Sequence, residues 1–143
     1  MQTSNVHVYA AGDATEFCGI VEGLWGAAIE QGKVAGTNMT DNLITYQRAV
    51  PITLFTAFGM PLFSIGVITE QHCDTSLTHT DGALYTRIFI KNGVIAGVIS
   101  FEGAAASLPY KSAIEQQINL DGIDLGHSSI EDIMTEVSKR SLK

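Results

Sequence analysis

The residues best suited to chemistry lie near the start of the chain, where Thr3 and the run Val6-His7-Val8-Tyr9-Ala10 lead into Gly12-Asp13. A short β-branched and aromatic run stopped by Gly-Asp predicts a buried strand ending in a tight turn. At such a turn the glycine lets a sugar or phosphate approach the backbone. The aspartate accepts hydrogen bonds from hydroxyl groups. Residues 23–39 then predict a helix, with Leu24, Ala28, Gln31 and Ala35 near one face. Its first turn, Leu24-Trp25-Gly26, would offer unpaired N–H groups and a positive dipole end to negative charge. Gly26, Gly32 and Gly36 suit the close approach of a backbone or a flat ligand, or simply mark a weak helix.

Other reactive types are present in less useful patterns. His72, Cys73, Asp74, His79 and Asp81 fall within ten positions but match no zinc spacing, so a polar loop is expected there. Ser107 and Ser112 lack the Gly-x-Ser-x-Gly context of a serine hydrolase. The run Gly103-Ala-Ala-Ala-Ser107 reads as a loop entering a helix rather than a phosphate cradle. Cys18 and Cys73 form no Cys-x-x-Cys pair and are expected to be reduced thiols.

The elements that must carry these residues change character near residues 40–48, where a small-residue helix gives way to alternating segments. Residues 52–58 and 62–69 predict strands around a Gly59-Met60-Pro61 turn. Residues 84–90 and 95–101 flank Lys91-Asn92-Gly93-Val94, and Asn-Gly favours a type I′ hairpin turn. That turn pairs Lys91 with Val94, Ile90 with Ile95, Ile88 with Gly97 and Leu84 with Phe101. Leu84, Thr86, Ile88, Ile90, Ile95, Ile99 and Phe101 then form the expected core face. A helix is expected from Leu108 or Pro109 to Ile118. Another starts at Ser128-Ser129, where Ser128 and Glu131 have capping-box spacing. Ile130, Ile133, Met134 and Val137 give it one apolar stripe, and Lys139, Arg140 and Lys143 suit its negative end. The expected class is α+β, an antiparallel sheet with C-terminal helices.

At 143 residues with 45% hydrophobic and 16% charged positions, the chain should fold around one respectable core. Its net charge of −7, from 8 basic and 15 acidic residues, argues against nucleic acid and anionic membrane as partners. No apolar run approaches the ~20 residues of a membrane span. The start, Met-Gln-Thr-Ser-Asn, lacks the features of a signal peptide. A cytoplasmic location is the expectation.

The stretch from Thr3 through Tyr9-Ala10-Ala11-Gly12-Asp13 resembles the second flavin-binding motif of the pyridine nucleotide-disulfide oxidoreductase superfamily. The following Gly23–Met39 stretch is similar to the next helix of its NAD(P)H-dependent flavin reductases, including the rubredoxin, ferredoxin and nitrite reductase types. Pro51-Ile52-Thr53-Leu54-Phe55 and Gly59-Met60-Pro61-Leu62-Phe63-Ser64-Ile65-Gly66 resemble the opening of their C-terminal domain. The resemblance implies that Gly12 and Asp13 meet the ribityl chain of FAD. It also implies that the Leu24–Gly26 backbone faces the pyrimidine edge, with Trp25 beside the flavin.

No Gly-x-Gly-x-x-Gly occurs, although the family needs one for FAD pyrophosphate and another for NAD(P)H. Residues 1–48 are therefore expected to be the tail end of an FAD domain, and residues 49–143 an α+β interface domain. The expected function is that of a C-terminal fragment of an FAD-dependent NAD(P)H oxidoreductase passing electrons to a small rubredoxin- or ferredoxin-like acceptor. Alone, it should be inactive and bind FAD poorly. Its expected partners are the remainder of the flavoenzyme or an upstream subunit, and a second copy in a homodimer. The alternative is a non-catalytic module for dimerisation or for docking a redox partner.

Overall fold

A computed structural model describes residues 1–40 and 42–141, in two units, Met1–Pro51 and Ile52–Lys143. Lys143, expected at the basic end of the last helix, lies outside the described residues. No helix among those described is long and apolar enough to cross a membrane.

The second unit is an antiparallel sheet built from β1 (Ile52–Ala57), β2 (Met60–Gly66), β3 (Thr75–Asp81), β4 (Leu84–Lys91) and β5 (Val94–Ser100), in the order β1-β2-β5-β4-β3. The β1–β2 turn is Phe58-Gly59 rather than Gly59-Met60-Pro61, because Ala57 already pairs with Met60. Both turn residues have positive φ, 52° and 75°, as a two-residue type I′ turn requires. The segment expected as a polar loop supplies β3, whose seven residues pair along β4 from Thr75↔Ile90 to Asp81↔Leu84. Polar β-branched threonines suit an edge strand with one wet face.

The Asn92-Gly93 turn forms as expected, with φ of 51° and 73° and the pairs Lys91↔Val94 and Ile90↔Ile95. Beyond them the register shifts between Phe89 and Ile90, so Phe89 pairs with Gly97 and Ile88 with Val98. The expected pairs Ile88–Gly97 and Leu84–Phe101 do not form. The cause is the end of β2: Val67 N–H donates to the Ala96 carbonyl at 2.9 Å, and a Cβ on Gly97 would lie 2.0 Å from the Val67 oxygen. One extra residue flips the strand's faces beyond it. Val98 and Ser100 therefore enter the core in place of Ile99 and Phe101, while Leu84 and Phe101 are exposed. Ser100 and Thr86 satisfy each other through a buried hydroxyl pair at 2.8 Å.

Two helices complete this unit: α2, Ser107–Glu115, and α3, Ile130–Ser141, to be distinguished from the first unit's helix below. The second starts one residue later than expected. Ser129 Oγ accepts from Asp132 N–H at 3.1 Å and Asp132 Oδ2 accepts from Ser129 N–H at 3.1 Å, so the reciprocal cap is Ser129–Asp132 rather than Ser128–Glu131. Ile130, Ile133 and Val137 are buried from the expected stripe, and Met134 is half-buried. Phe63, Ile65, Ile88, Ile95, Val98 and Ile133 are the fully buried apolar centre, where each such side chain contributes about 1.5–3 kcal/mol.

The first unit contains one helix, α1, Trp25–Asn38. The expected strand over residues 6–10 does not form. Residues 1–10 fold back on themselves instead, with Thr3 N–H donating to Val8 O (2.9 Å) and Ala10 N–H to Met1 O (3.1 Å) around a single Gln2↔Tyr9 bridge. A buried parallel strand needs paired neighbours and covered faces. Without them these backbone groups pair locally.

Candidate functional site

Gly12–Ala14 form a single 3-10 turn closed by Thr15 N–H donating to Gly12 O at 2.9 Å. Gly12 has φ +74°, a conformation favouring glycine. Its N–H donates to Gln31 Oε1 at 2.8 Å, and a Cβ there would come within 3.4 Å of Ala28 Cβ. Ala28 and Gln31 lie one and two turns into α1, so the Gly12-Asp13 turn is pinned close to the helix start. Gln31 is the most buried residue of this helix, with 2% of its surface exposed. Periodicity puts Gln31 on the inner face, but only the structure reveals it as the anchor. A lone amide among small residues on that face was the available signal.

The N-terminus of α1 is open. Leu24 occupies the cap position with extended backbone, makes no side-chain cap and is followed by no acidic residue in the first turn. The first helical bond is Ala28 N–H to Leu24 O at 2.9 Å, which leaves the amides of Trp25, Gly26 and Ala27 without helical acceptors. Leu24 is half-buried, whereas Asp13 and Gly26 are exposed and Trp25 is 84% exposed. Among the described residues nothing outside α1's own backbone lies within 4 Å of a Cβ placed on Gly26, Gly32 or Gly36, so none of them exploits those glycines.

Glu22 is the nearest carboxylate before the helix, yet it does not cap it. Its side chain is 7% exposed, accepting from Tyr46 Oη at 2.8 Å and pairing with Arg48 Nε at 2.5 Å. Burial, reinforced by the Glu22 carboxylate, pushes the Tyr46 phenol above its ordinary pKa. Phe17 packs edge-on to Tyr46 at 5.1 Å between ring centres. This Glu22–Tyr46–Arg48 cluster, missed in the sequence because its members are 24 and 26 positions apart, neutralises the carboxylate that directly precedes the helix in sequence. Thr15 Oγ1, two residues beyond Asp13, is buried without a partner among the described residues.

The remaining sequence candidates are scattered. A cleft of about 590 Å³ lined by Gln2, Tyr9, Asn38 and Leu43 lies toward the other end of α1 and contains none of the five expected flavin-site positions. His72 bonds Thr69, and Asp74 accepts from Asn92 N–H. No group of three His, Cys, Asp or Glu able to hold a metal exists among the described residues.

Comparison with known proteins decides the relationship. Residues 51–118 match the family described as rubredoxin NAD+ reductase C-terminal domain. The chain is 28% identical over 123 residues to NADH-rubredoxin oxidoreductase of Clostridium acetobutylicum, covering 86% of this chain and 32% of that protein. The crystal structure of NADH:rubredoxin oxidoreductase from the same organism superposes with a TM-score of 0.71 at 26% identity, covering 90% of this chain and 33% of that one.

The match over residues 51–118 spans 68 of the 143 residues and makes the second part of the chain similar to the rubredoxin NAD+ reductase C-terminal domain family. The whole chain is related to the C-terminal portion of pyridine nucleotide-disulfide oxidoreductases, and its α+β fold is theirs. It is also 32% identical over 104 residues to the assimilatory nitrate reductase electron transfer subunit of Bacillus subtilis, covering 71% of this chain and 14% of that protein. An FAD-dependent pyridine nucleotide-disulphide oxidoreductase from Desulfovibrio vulgaris shares the fold with a TM-score of 0.58 at 18% identity, covering 83% of this chain and 32% of that one. The chain thus spans a third or less of the proteins it matches. The rubredoxin reductase C-terminal domain family begins where the first unit ends, but the 123-residue match is longer than the second unit and extends into the first.

Proposed function

We propose that this chain supplies one end of a flavin site, and the domain behind it, in an FAD-dependent NAD(P)H oxidoreductase that passes electrons to a small redox protein. Residues 1–48 are then the tail of the flavin domain and residues 49–143 the interface domain. The observation that carries the reading is the open N-terminus of α1 with the Gly12-Asp13 turn pinned beside it through Gln31.

The residues present suit the ribityl and pyrimidine end of FAD. Asp13 is an exposed acceptor for ribityl hydroxyls. Gly12 keeps the turn free of a side chain, and the Trp25, Gly26 and Ala27 amides are donors for a carbonyl edge. The same dipole end, with Glu22 neutralised by Arg48, favours extra negative charge at that edge. Bound there, the flavin would supply the hydride and electron transfer, and the protein its orientation and electrostatics. The pyrophosphate end has no counterpart, since the chain holds no glycine-rich turn of the required pattern.

Two-dimensional amide NMR of the chain with millimolar FMN checks this assignment. Shifts confined to Gly12, Asp13 and residues 24–27 are expected. Shifts centred on the cleft near Gln2 and Asn38, or in the sheet, would remove the assignment.

A further inference from the structure

We infer that Tyr46 is a positioning residue for the Gly12-Asp13 turn, acting on it through Gln31 along one directional hydrogen-bond network. The inference rests on the flavin reading for what the turn would hold, and not for the network itself. Asp13 is exposed, so the backbone at Gly12, with φ +74°, is what aims its carboxylate. Whatever fixes Gly12 therefore fixes the direction of Asp13.

Gly12 N–H donates to Gln31 Oε1 at 2.8 Å, across 19 positions of sequence. A backbone N–H can only donate, so this bond decides which end of the Gln31 amide is oxygen and which is NH2. Gln31 is 2% exposed and Tyr46 5% exposed, and buried polar atoms of this kind need partners inside the unit. Tyr46 Oη gives its hydrogen to Glu22 Oε2 at 2.8 Å, which leaves the phenol oxygen only lone pairs to offer. The Gln31 NH2 is a donor suited to them. The phenol responds in that sense: burial foremost, then Glu22, raise its pKa, and the Gln31 amide acts as a hydrogen-bond donor that lowers it.

The donors all run one way, from Gly12 to Gln31, from Gln31 to Tyr46 and from Tyr46 to Glu22. Arg48 Nε, 2.5 Å from Glu22 Oε1, closes the far end from the other side. Hydrogen bonds in such a chain polarise one another, and one that ends on a carboxylate is charge-assisted. The Glu22 charge thus strengthens the hold on Gly12 without approaching the turn. Tyr46 is the link that carries it. A Tyr46 that merely fills space would need its ring, which Phe17 meets edge-on at 5.1 Å, and would not need its hydroxyl.

Amide hydrogen exchange and two-dimensional NMR of the 143-residue chain and its Tyr46→Phe variant test the network. The variant keeps the ring and the Glu22–Arg48 pair and removes only the hydroxyl. The Gly12 amide should exchange roughly three- to tenfold faster, the net worth of one hydrogen bond. The α1 amides of Val34 and Ala35 should keep their rates. At equal millimolar FMN the shift of Asp13 should shrink, while those of Gly26 and Ala27 persist. In the unaltered chain the Gln31 side-chain NH2 should exchange more slowly than that of exposed Gln71, which needs no substitution to check. Equal rates for the two side chains, or an unchanged Gly12 rate in the variant, overturn the inference. So does a speed-up shared equally by Val34 and Ala35, because Tyr46 would then only pack. An Asp13 response of full size in the variant overturns the positioning role. If FMN moves none of these amides in the unaltered chain, the flavin reading alone falls, and the exchange rates still decide the network.

Discussion

The two units solve the burial problem differently. Ile52–Lys143 has six fully buried apolar side chains drawn from β2, β4, β5 and α3, so each element covers another. Among the described residues Met1–Pro51 has one α-helix, and its buried set is Gln31, Val34, Ala35 and Tyr46, of which Gln31 is polar and Tyr46 carries a hydroxyl. What secures the first unit is a small number of directional contacts: Gln31 to Gly12, and Glu22 between Tyr46 and Arg48. A unit stabilised by packing tolerates changes at its rim. A unit held by a few polar pins leaves its apolar side chains, Trp25 above all, available to something else.

The largest expected effect separates the two. Phe63→Ala removes a fully buried ring at the centre of the sheet and should lower stability by about 3–5 kcal/mol. Urea unfolding followed by sheet amide protection should show the loss in residues 52–141. Equal loss of protection at Gly12 and Gln31 would mean that the units unfold as one and break the contrast. Arg48→Ala is the converse. It strips Glu22 of its cation while the carboxylate stays buried, and about 1–3 kcal/mol is expected, below the value for a wholly buried pair because Arg48 is 38% exposed. Protection should fall in residues 1–50 while the sheet amides hold.

The smallest effect is a pH dependence confined to the second unit. Burial, with Glu102 and Glu131 adding to it, pushes the Tyr110 phenol up to about 12. An acid whose folded pKa lies above its unfolded value of 10.0 stabilises the fold below pH 10, where both states are neutral. Stability then falls as pH rises from 10 to about 12, because the unfolded chain ionises first. Partial exposure reduces the effect to roughly 1 kcal/mol. Tyr110→Phe should abolish that part of the alkaline loss in denaturant titrations, and an unchanged slope would show that the phenol is not shielded.

Much of the second unit was legible because its signals are local. Asn92-Gly93 dictates its own turn, and the Ile130, Ile133, Val137 spacing dictates a helix face whatever surrounds it. The bulge at Ala96 was not legible, since it answers to Val67 arriving from β2, a contact no local pattern encodes. β3 was missed for a related reason: a run such as Thr-Ser-Leu-Thr-His-Thr-Asp becomes a strand only when β4 offers it an edge. In the first unit the helix and the Gly12-Asp13 turn could be read from residue type. The strand before them could not be judged, because a strand is a property of its neighbours as much as of its side chains.

The titration of flavins into the chain, followed by Trp25 fluorescence, bears most directly on the proposed site. Contacts to the ribityl chain and one ring edge, at about 1.5–3 kcal/mol for a charged hydrogen bond, must overcome ~4–15 kcal/mol of lost motion. FAD and riboflavin should therefore quench with the same weak, millimolar-scale affinity, and Asp13→Ala should weaken both alike. Saturation by FAD at low micromolar concentration, with riboflavin far weaker, would contradict this and show that the chain holds a pyrophosphate site of its own.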